Sequence, residues 1–510
     1  MGSFLTRFGF VPIGRGYVVV LALAAAFPAI MLVRWFVGAI PLAYGLDYNE
    51  GIVWQQMADI VAGKAYGPID RFPAIVYHYP PAYHLLTAAV AATGIDALAA
   101  GRLVSLCSTL GSAILVGALS HRLVRREATV TIARLATGAS VFCFLGCAGV
   151  QDWAPLMRVD PAACFFALLG LWLAVQAGER PRLIYLAAAS FVVSVFCKQN
   201  SVVTAAAAFL VLGLYRPGTA LRGMATCLLL GGGALVSLVL LFDSTVLNHL
   251  VLYNINRFDF SRLLPNLVEA TRANDRPLIA LGLAGTLCCM APGSRAGAEP
   301  VPRDLTRPMV LAFAGLATLS LVTTAKYGSS SAYYMQWEAA LAILSGSAVT
   351  VLLRGAEQAR LRRPVLAALF AAVPLLLTLA VALRMGPDHL RLLRRSQAQG
   401  ERLAALVRPL DEPILSNDMV LLLRTGHRVV WEPAIFRELA FAGLWDERTL
   451  VKRIRDGHIA AVLSDGDRGY KWFDEQFSPA IADAMDATLP RKEHVGNYVL
   501  HLPPARGSRP

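Results

Sequence analysis

Apolar runs long enough to cross the hydrocarbon core of a bilayer, about 20 residues each, recur along this chain from residue 17 to about residue 385 and then stop. Within lipid, every backbone N–H and C=O must be satisfied inside its own segment, so each run is expected to be a helix. Only 16% of the 510 residues are charged, against roughly 25% in an ordinary soluble domain. The sequence therefore predicts a mainly α, polytopic membrane protein: about eleven transmembrane helices over residues 1–385, then a small α/β extracytoplasmic domain over 386–510.

The loops between the runs alternate in character. Arg7 and Arg15 precede the first run, which has no small-residue cleavage site after it and is read as a retained helix over 17–40. The His121–Arg126 stretch, Glu179 to Arg182, Arg216 with Arg222, Arg295 to Arg307 and Arg354 to Arg363 then fall on one side of the alternation. Excess arginine in short loops marks the cytoplasmic face. The N-terminus is thus expected in the cytoplasm of a bacterium and the C-terminal domain in the periplasm, with the chain threaded many times through the inner membrane.

The net charge of +13 sits in those loops rather than interleaved with exposed aromatics, so it does not point to nucleic acid. All eight cysteines lie in or beside apolar runs, in neither a disulfide pattern nor a metal-binding spacing. Trp54–Val61 has the mixed polarity of a short helix lying along the interface, and residues 83–95 are apolar but too short to span. In the C-terminal part, Leu390–Val407 reads as a basic helical connector. Pro413–Ser416, Arg428–Trp431 and Tyr498–His501 read as strands, Ile459–Ser464 as an apolar run, and Asp446–Arg455 has helical spacing.

Polar residues stand out in the loops opposite the arginine-rich ones. Asp47 and Glu50, in Gly45–Gly51, sit where the chain leaves the bilayer, and a carboxylate there can take a proton beside a membrane-held substrate; acids at that border are also commonly just solvated. Arg158 and Asp160 open the fourth span, where Asp ahead of Pro161 also suits a helix N-cap. Lys198 lies between two apolar runs with almost no loop around it, where a cation costs a few kcal/mol unless paired or hydrated. It fits either a phosphate at the headgroup boundary or an ion pair with Asp160. Lys326, Tyr334 and Glu338 belong to Lys326–Glu338, where the tyrosines also suit interfacial anchoring and the glutamate a headgroup-level acid. Arg257 lies in the long loop 243–277. His78 and Tyr79 precede Pro80-Pro81, a rigid pair that stiffens the return to the membrane; His78 and His84 are poorly spaced for a metal, and no metal site is assigned.

Together the segments Asp47–Gly51, YHYPPAYHLL (77–86), MRVDPAACFF (157–166), FCKQN (196–200) and KYGSSSAYYMQWEAAL (326–341) resemble, in order and position, the GT-C fold of membrane glycosyltransferases that use polyprenyl-phosphate sugars. That class includes protein O-mannosyltransferases and the bacterial aminoarabinose transferase. The resemblance implies that Asp47 is the catalytic base, Asp160 the second loop carboxylate, and Lys198, with Arg257, the site of the lipid phosphate. It implies an inverting transfer of a sugar from a polyprenyl-phosphate donor to a glycan, lipid or protein acceptor in cell-envelope polysaccharide biosynthesis. Asp-Tyr-Asn-Glu stands here where many relatives have adjacent Asp-Glu, which leaves the role of Glu50 open. A divalent cation serves some members and not others, so the cofactor is left unknown. A transporter or flippase for polyprenyl-linked glycans is the rival reading, and a noncatalytic lipid-carrier-binding partner a third. Transporters tend to carry internal repeats and ionisable residues at mid-span, whereas this chain shows no repeat of fixed period and its polar residues gather at one face.

Overall fold

The computed structural model describes residues 15–271, 275–291, 304–359, 388–411 and 413–504. The apolar run at 364–385, expected as an eleventh span, lies outside the described residues, as do Arg7, Arg295 and Arg303. The other ten expected spans are all helical. They comprise α1 (Arg15–Ala39), α4 (Ala97–Val124), α5 (Val130–Gly146), α6 (Val159–Ala177), α7 (Leu183–Cys197), α8 (Val203–Tyr215), α9 (Pro217–Phe242), α10 (Arg276–Met290), α11 (Thr306–Ser320) and α12 (Met335–Ala359). Two shorter helices, α2 (Asn49–Val61) and α3 (Ala82–Ala91), occupy the first long loop. Among the described residues, five stretches are long and apolar enough to cross a membrane by themselves: α4, α6, α9, Thr306–Ala325 and Ser331–Glu357.

Leu228, Leu229, Leu240 and Leu241 of α9 stand outside the protein core, and so large a bare apolar face is stable only against lipid. Inside the bundle, helices approach through small residues, because lipid offers no hydrophobic drive for helix to meet helix and close packing must supply it. Gly285 of α10 is one such contact: a Cβ there would collide with the Leu344 carbonyl of α12.

The alternation of loops is visible as two ends. At one end Arg122 pairs with Glu179 and, at 3.4 Å, with Asp304, gathering three loops read as arginine-side. The opposite ends of α4 and α6 carry Arg102 and Asp160, and there the polar loops converge.

Over that second end lies the C-terminal part: α13 (Asp388–Val407), α14 (Met419–Thr425), α15 (Pro433–Phe441), α16 (Arg448–Arg455), α17 (Lys471–Gln476) and α18 (Pro479–Thr488), with strands β1 (Ile414–Ser416), β2 (Ala461–Asp465), β3 (Arg491–Val495) and β4 (Tyr498–Leu502). The sheet order is β1-β2-β4-β3, with β1 and β2 parallel and the other pairs antiparallel. A parallel pair needs a long crossover, and α14, α15 and α16 provide it. Trp431, Phe436, Trp445 and Phe477 form its aromatic core.

Three expectations change. Arg428–Trp431 is not a strand: its main chain bonds to the membrane part instead, the Val430 carbonyl accepting from Ala74 N at 2.8 Å and Val429 N donating to Gln55 Oε1 at 3.3 Å. β3 was not foreseen, since Arg-Lys-Glu-His-Val carries no apolar alternation and pairs only at the sheet edge. Helix α2 does not lie along an open interface. Glu50, Ile52, Val53, Gln56 and Met57 are buried, because α14 packs directly on it; a Cβ on Gly51 would meet the backbone of Met419 and Val420.

Candidate active site

Four of the expected residues form one chain of alternating charge. Arg158, in extended conformation, precedes α6 and Asp160 lies in its first turn. Asp160 does not cap this helix, whose cap residue is Arg158 with no side-chain cap bond. Its carboxylate instead meets Lys198 Nζ through Oδ1 and Arg158 Nε through Oδ2, the latter at 3.4 Å. Arg158 Nη1 lies 3.3 Å from Asp47 Oδ1. The sequence is thus Asp47, Arg158, Asp160, Lys198, each held by its neighbours. The side chains of Arg158, Asp160 and Lys198 are 5, 3 and 9% exposed, and that of Asp47 is 21% exposed.

Local structure fixes each partner. Lys198 stands where α7 ends and the chain turns at once into a 3-10 turn, Gln199–Val202, so its position is set by two helices rather than a loop. Its ammonium lies 4.3 Å from the centre of the Tyr333 ring and the Arg158 guanidinium 4.6 Å from that of Trp153, contacts that favour a desolvated cation. Asp47 Oδ1 also accepts from Asn49 N at 3.0 Å, which closes the turn into α2.

Arg158 and Lys198 open into a cavity of about 720 Å³ between the membrane part and the C-terminal part. His78, Tyr79, Lys326, Arg257 and Tyr333 also line it. Asp47 is not on its wall but one ion pair behind it, beside the lining residue Asn49. The Lys326 ammonium donates to the Asn254 carbonyl at 2.5 Å, and no carboxylate stands within ion-pair distance of it among the described residues. Burial, and then the charge of Lys198, hold its amine below the usual lysine range. The two lysines repel each other across a common space, an arrangement that an entering anion relieves. His78 is driven down to about 3 by burial and then by Arg158, so it enters the cavity uncharged at neutral pH.

The remaining expected residues lie elsewhere or are already engaged. Arg257 reaches the cavity, but both ends of its guanidinium are held by Glu438, at 2.8 and 3.1 Å, and it stacks on Tyr327 and Phe441. Glu50 is fully buried away from the cavity: Arg102 meets its two oxygens at 2.8 Å, and Leu46 N and Met157 N donate to them at 2.8 and 2.9 Å. Glu338 accepts from Gly149 N at 3.2 Å and does not line the cavity. Tyr334 donates to the Asn266 carbonyl at 2.8 Å; its neighbour Tyr333 is the one beside Lys198.

The C-terminal part adds residues the sequence did not mark, among them Glu432, Glu438, Lys471 and Trp472. Glu432 directly precedes Pro433, the first residue of α15. The residue is 3% exposed, and its Oε2 has no hydrogen-bond partner among the described residues. Burial, against the opposing pull of Arg158, pushes this carboxyl up to about 8. A glutamate directly after the strand-like run Arg428–Trp431 gives no signal of such burial; only the docking of the two parts creates it.

The donor set does not fit a divalent cation. Asp47 and Asp160 are committed to Arg158 and Lys198, and no cluster of three or more His, Cys, Asp or Glu side chains suited to a metal occurs among the described residues.

No family model matches the chain, and no curated protein does. Solved structures do. ArnT from Cupriavidus metallidurans bound to undecaprenyl phosphate superposes with a TM-score of 0.62 at 16% identity, covering 98% of this chain and 100% of that one. The apo state of the same enzyme gives 0.62 at 14%, covering 97 and 99%. The archaeal oligosaccharyltransferase AglB from Archaeoglobus fulgidus, in complex with an inhibitory peptide and a dolichol-phosphate, gives 0.52 at 11%, covering 88% of this chain and 69% of that one. The agreement runs through both the helical bundle and the part above it, so that a chain with little sequence in common with either has the GT-C fold of membrane glycosyltransferases.

Proposed function

We propose that this protein is an inverting glycosyltransferase that moves a sugar from a polyprenyl-phosphate carrier to a glycan, lipid or protein acceptor at the periplasmic face of a bacterial inner membrane. The observation that carries this reading is the convergence of Lys198, Lys326 and Arg158 on one cavity at the membrane border, with the carboxylate of Asp47 directly behind Arg158.

In a single displacement an acceptor hydroxyl attacks C1 of the donor sugar as the bond from C1 to the phosphate oxygen breaks and its electrons stay with the phosphate. The lysines and Arg158 stabilise that departing charge, and a water-poor cavity strengthens each of these interactions. The acceptor proton passes to Asp47. Arg158 links the two functions, since it pairs with the base and faces the phosphate region at once. The structural similarity to proteins solved with undecaprenyl phosphate and dolichol-phosphate supports a lipid-phosphate donor. The arginine-rich end, gathered around Arg122, supports a cytoplasmic position for that end and a periplasmic one for the cavity at the other. The transport alternative expects ionisable groups at mid-span, whereas Arg102, Arg158, Asp160, Lys198 and Glu338 are all drawn to the cavity end of the bundle.

The reading is tested by incubating purified protein in nanodiscs with a panel of polyprenyl-phosphate hexoses and pentoses and candidate acceptors, with products read by mass. Release of free polyprenyl phosphate matched by a glycosylated acceptor is expected. Binding of the lipid with no transfer to any acceptor would favour the carrier-binding role.

A further inference from the structure

Resting on the transferase reading, we infer that Glu432 is the residue by which the C-terminal part recognises the transferred sugar, its carboxyl exchanging hydrogen bonds with a hydroxyl of the glycosyl group.

The placement is unusual for a glutamate. The side chain is almost entirely enclosed, yet it belongs to the wall of the cavity that holds Arg158 and Lys198, and one of its oxygens finds no partner among the described residues. A buried polar atom left unsatisfied forfeits its hydration with nothing in return, so its retention on a cavity wall calls for a ligand that completes it. No lysine, arginine or histidine pairs with it within 4 Å among the described residues, which distinguishes it from Glu438 in the same wall, committed to Arg257.

Its neighbours set what that ligand is. The raised carboxyl is mostly protonated at neutral pH and offers both a donor and an acceptor, the combination that matches a sugar hydroxyl rather than a phosphate. The backbone just beyond it is fixed by Ala434 N donating to the Tyr48 hydroxyl at 3.3 Å. Tyr48 adjoins Asp47, so Glu432 is tied to the loop of the proposed base, while Lys198 and Lys326 stand on the membrane part. A donor with its phosphate on the lysines of the membrane part would present its sugar to this wall.

The residue is a specificity determinant, and its test separates sugar from phosphate. Full-length protein in detergent is titrated, by native mass spectrometry, with sugar-free undecaprenyl phosphate and with undecaprenyl-phosphate hexoses and pentoses. For wild type, at least one sugar-bearing lipid is expected to bind at least tenfold tighter than the sugar-free one. Glu432→Ala is expected to erase that gain while holding sugar-free binding within twofold, and Glu432→Gln, neutral and of the same shape, to recover part of it. Equal losses on both lipids, no loss on either, or a wild type that gains nothing from any sugar would each overturn the inference while leaving phosphate binding intact. A wild type that binds no polyprenyl phosphate at all would overturn the transferase reading, and this inference with it.

Discussion

Lys198 and Asp160 form an ion pair in which both side chains are more than nine-tenths buried, at the point where α6 and α7 meet. Removing one member of such a pair leaves a lone charge, which costs about 3–5 kcal/mol, whereas replacing both by apolar or neutral groups is often close to neutral. Lys198→Met alone is therefore expected to lower the melting temperature in detergent and weaken donor use, and Lys198→Met with Asp160→Asn to regain the stability without the donor affinity. Recovery of both in the double variant would remove Lys198 from the phosphate site.

Asp47 is partly exposed and held by Arg158 and Asn49. Asp47→Asn keeps the shape and the Asn49 contact but cannot take a proton, so transfer is expected to fall by roughly 10²–10⁴-fold with undecaprenyl-phosphate binding retained. Single-turnover transfer and lipid titration on the same preparation check this, and undiminished transfer would dismiss Asp47 as the base.

Glu50 and Arg102 should behave differently. Their four short contacts are enclosed, and Arg102 also donates to the Ala39, Leu42 and Tyr44 carbonyls, fixing the exit of α1. Glu50→Gln and Arg102→Met are each expected to cost about 3–5 kcal/mol, seen as poor yield and early thermal unfolding. A Glu50→Gln protein that melts with wild type but has lost turnover would instead place Glu50 in the chemistry.

The raised carboxyl of Glu432 makes stability depend on pH. Folded protein holds this proton more tightly than the unfolded chain, where glutamate titrates near 4.3. Its contribution is therefore fully present below about 4.3 and is lost as pH rises through about 8, a change on the order of a few kcal/mol. Arg158 and Tyr48 are the ionisable groups coupled to it. Melting curves between pH 5 and 9 should slope downward for wild type and be flatter for Glu432→Gln; parallel slopes would argue against a raised carboxyl.

The bundle and the Asp47, Arg158, Asp160 and Lys198 set were legible because cost marks them. An apolar run of about 20 residues has few alternatives to a membrane helix, and a charge at a span end, such as Lys198, is rare without a partner. Glu432 and Trp472 carried no such mark: a polar residue in a soluble region is ordinary until another surface covers it. Arg428–Trp431 misled for the related reason that an extended segment looks the same whether it bonds to a sheet or to a loop on the far side of an interface. The role of Glu50, left open by its spacing from Asp47, could not be read from proximity: it stands three residues from Asp47 in sequence but the first turn of α2 turns it into the core, onto Arg102.

The hydrogen bonds from Ala74 to Val430 and from Val429 to Gln55 stitch the upper region to the loop that leads back into lipid. Excised on its own, 388–504 would bare Met419, Val420 and Leu422 and lose the backbone partners beneath them. Such a fragment should aggregate rather than fold, and the roof over the pocket cannot lift away as a rigid flap without tearing main-chain bonds. A long isoprenoid would then have to enter sideways, from the plane of the bilayer.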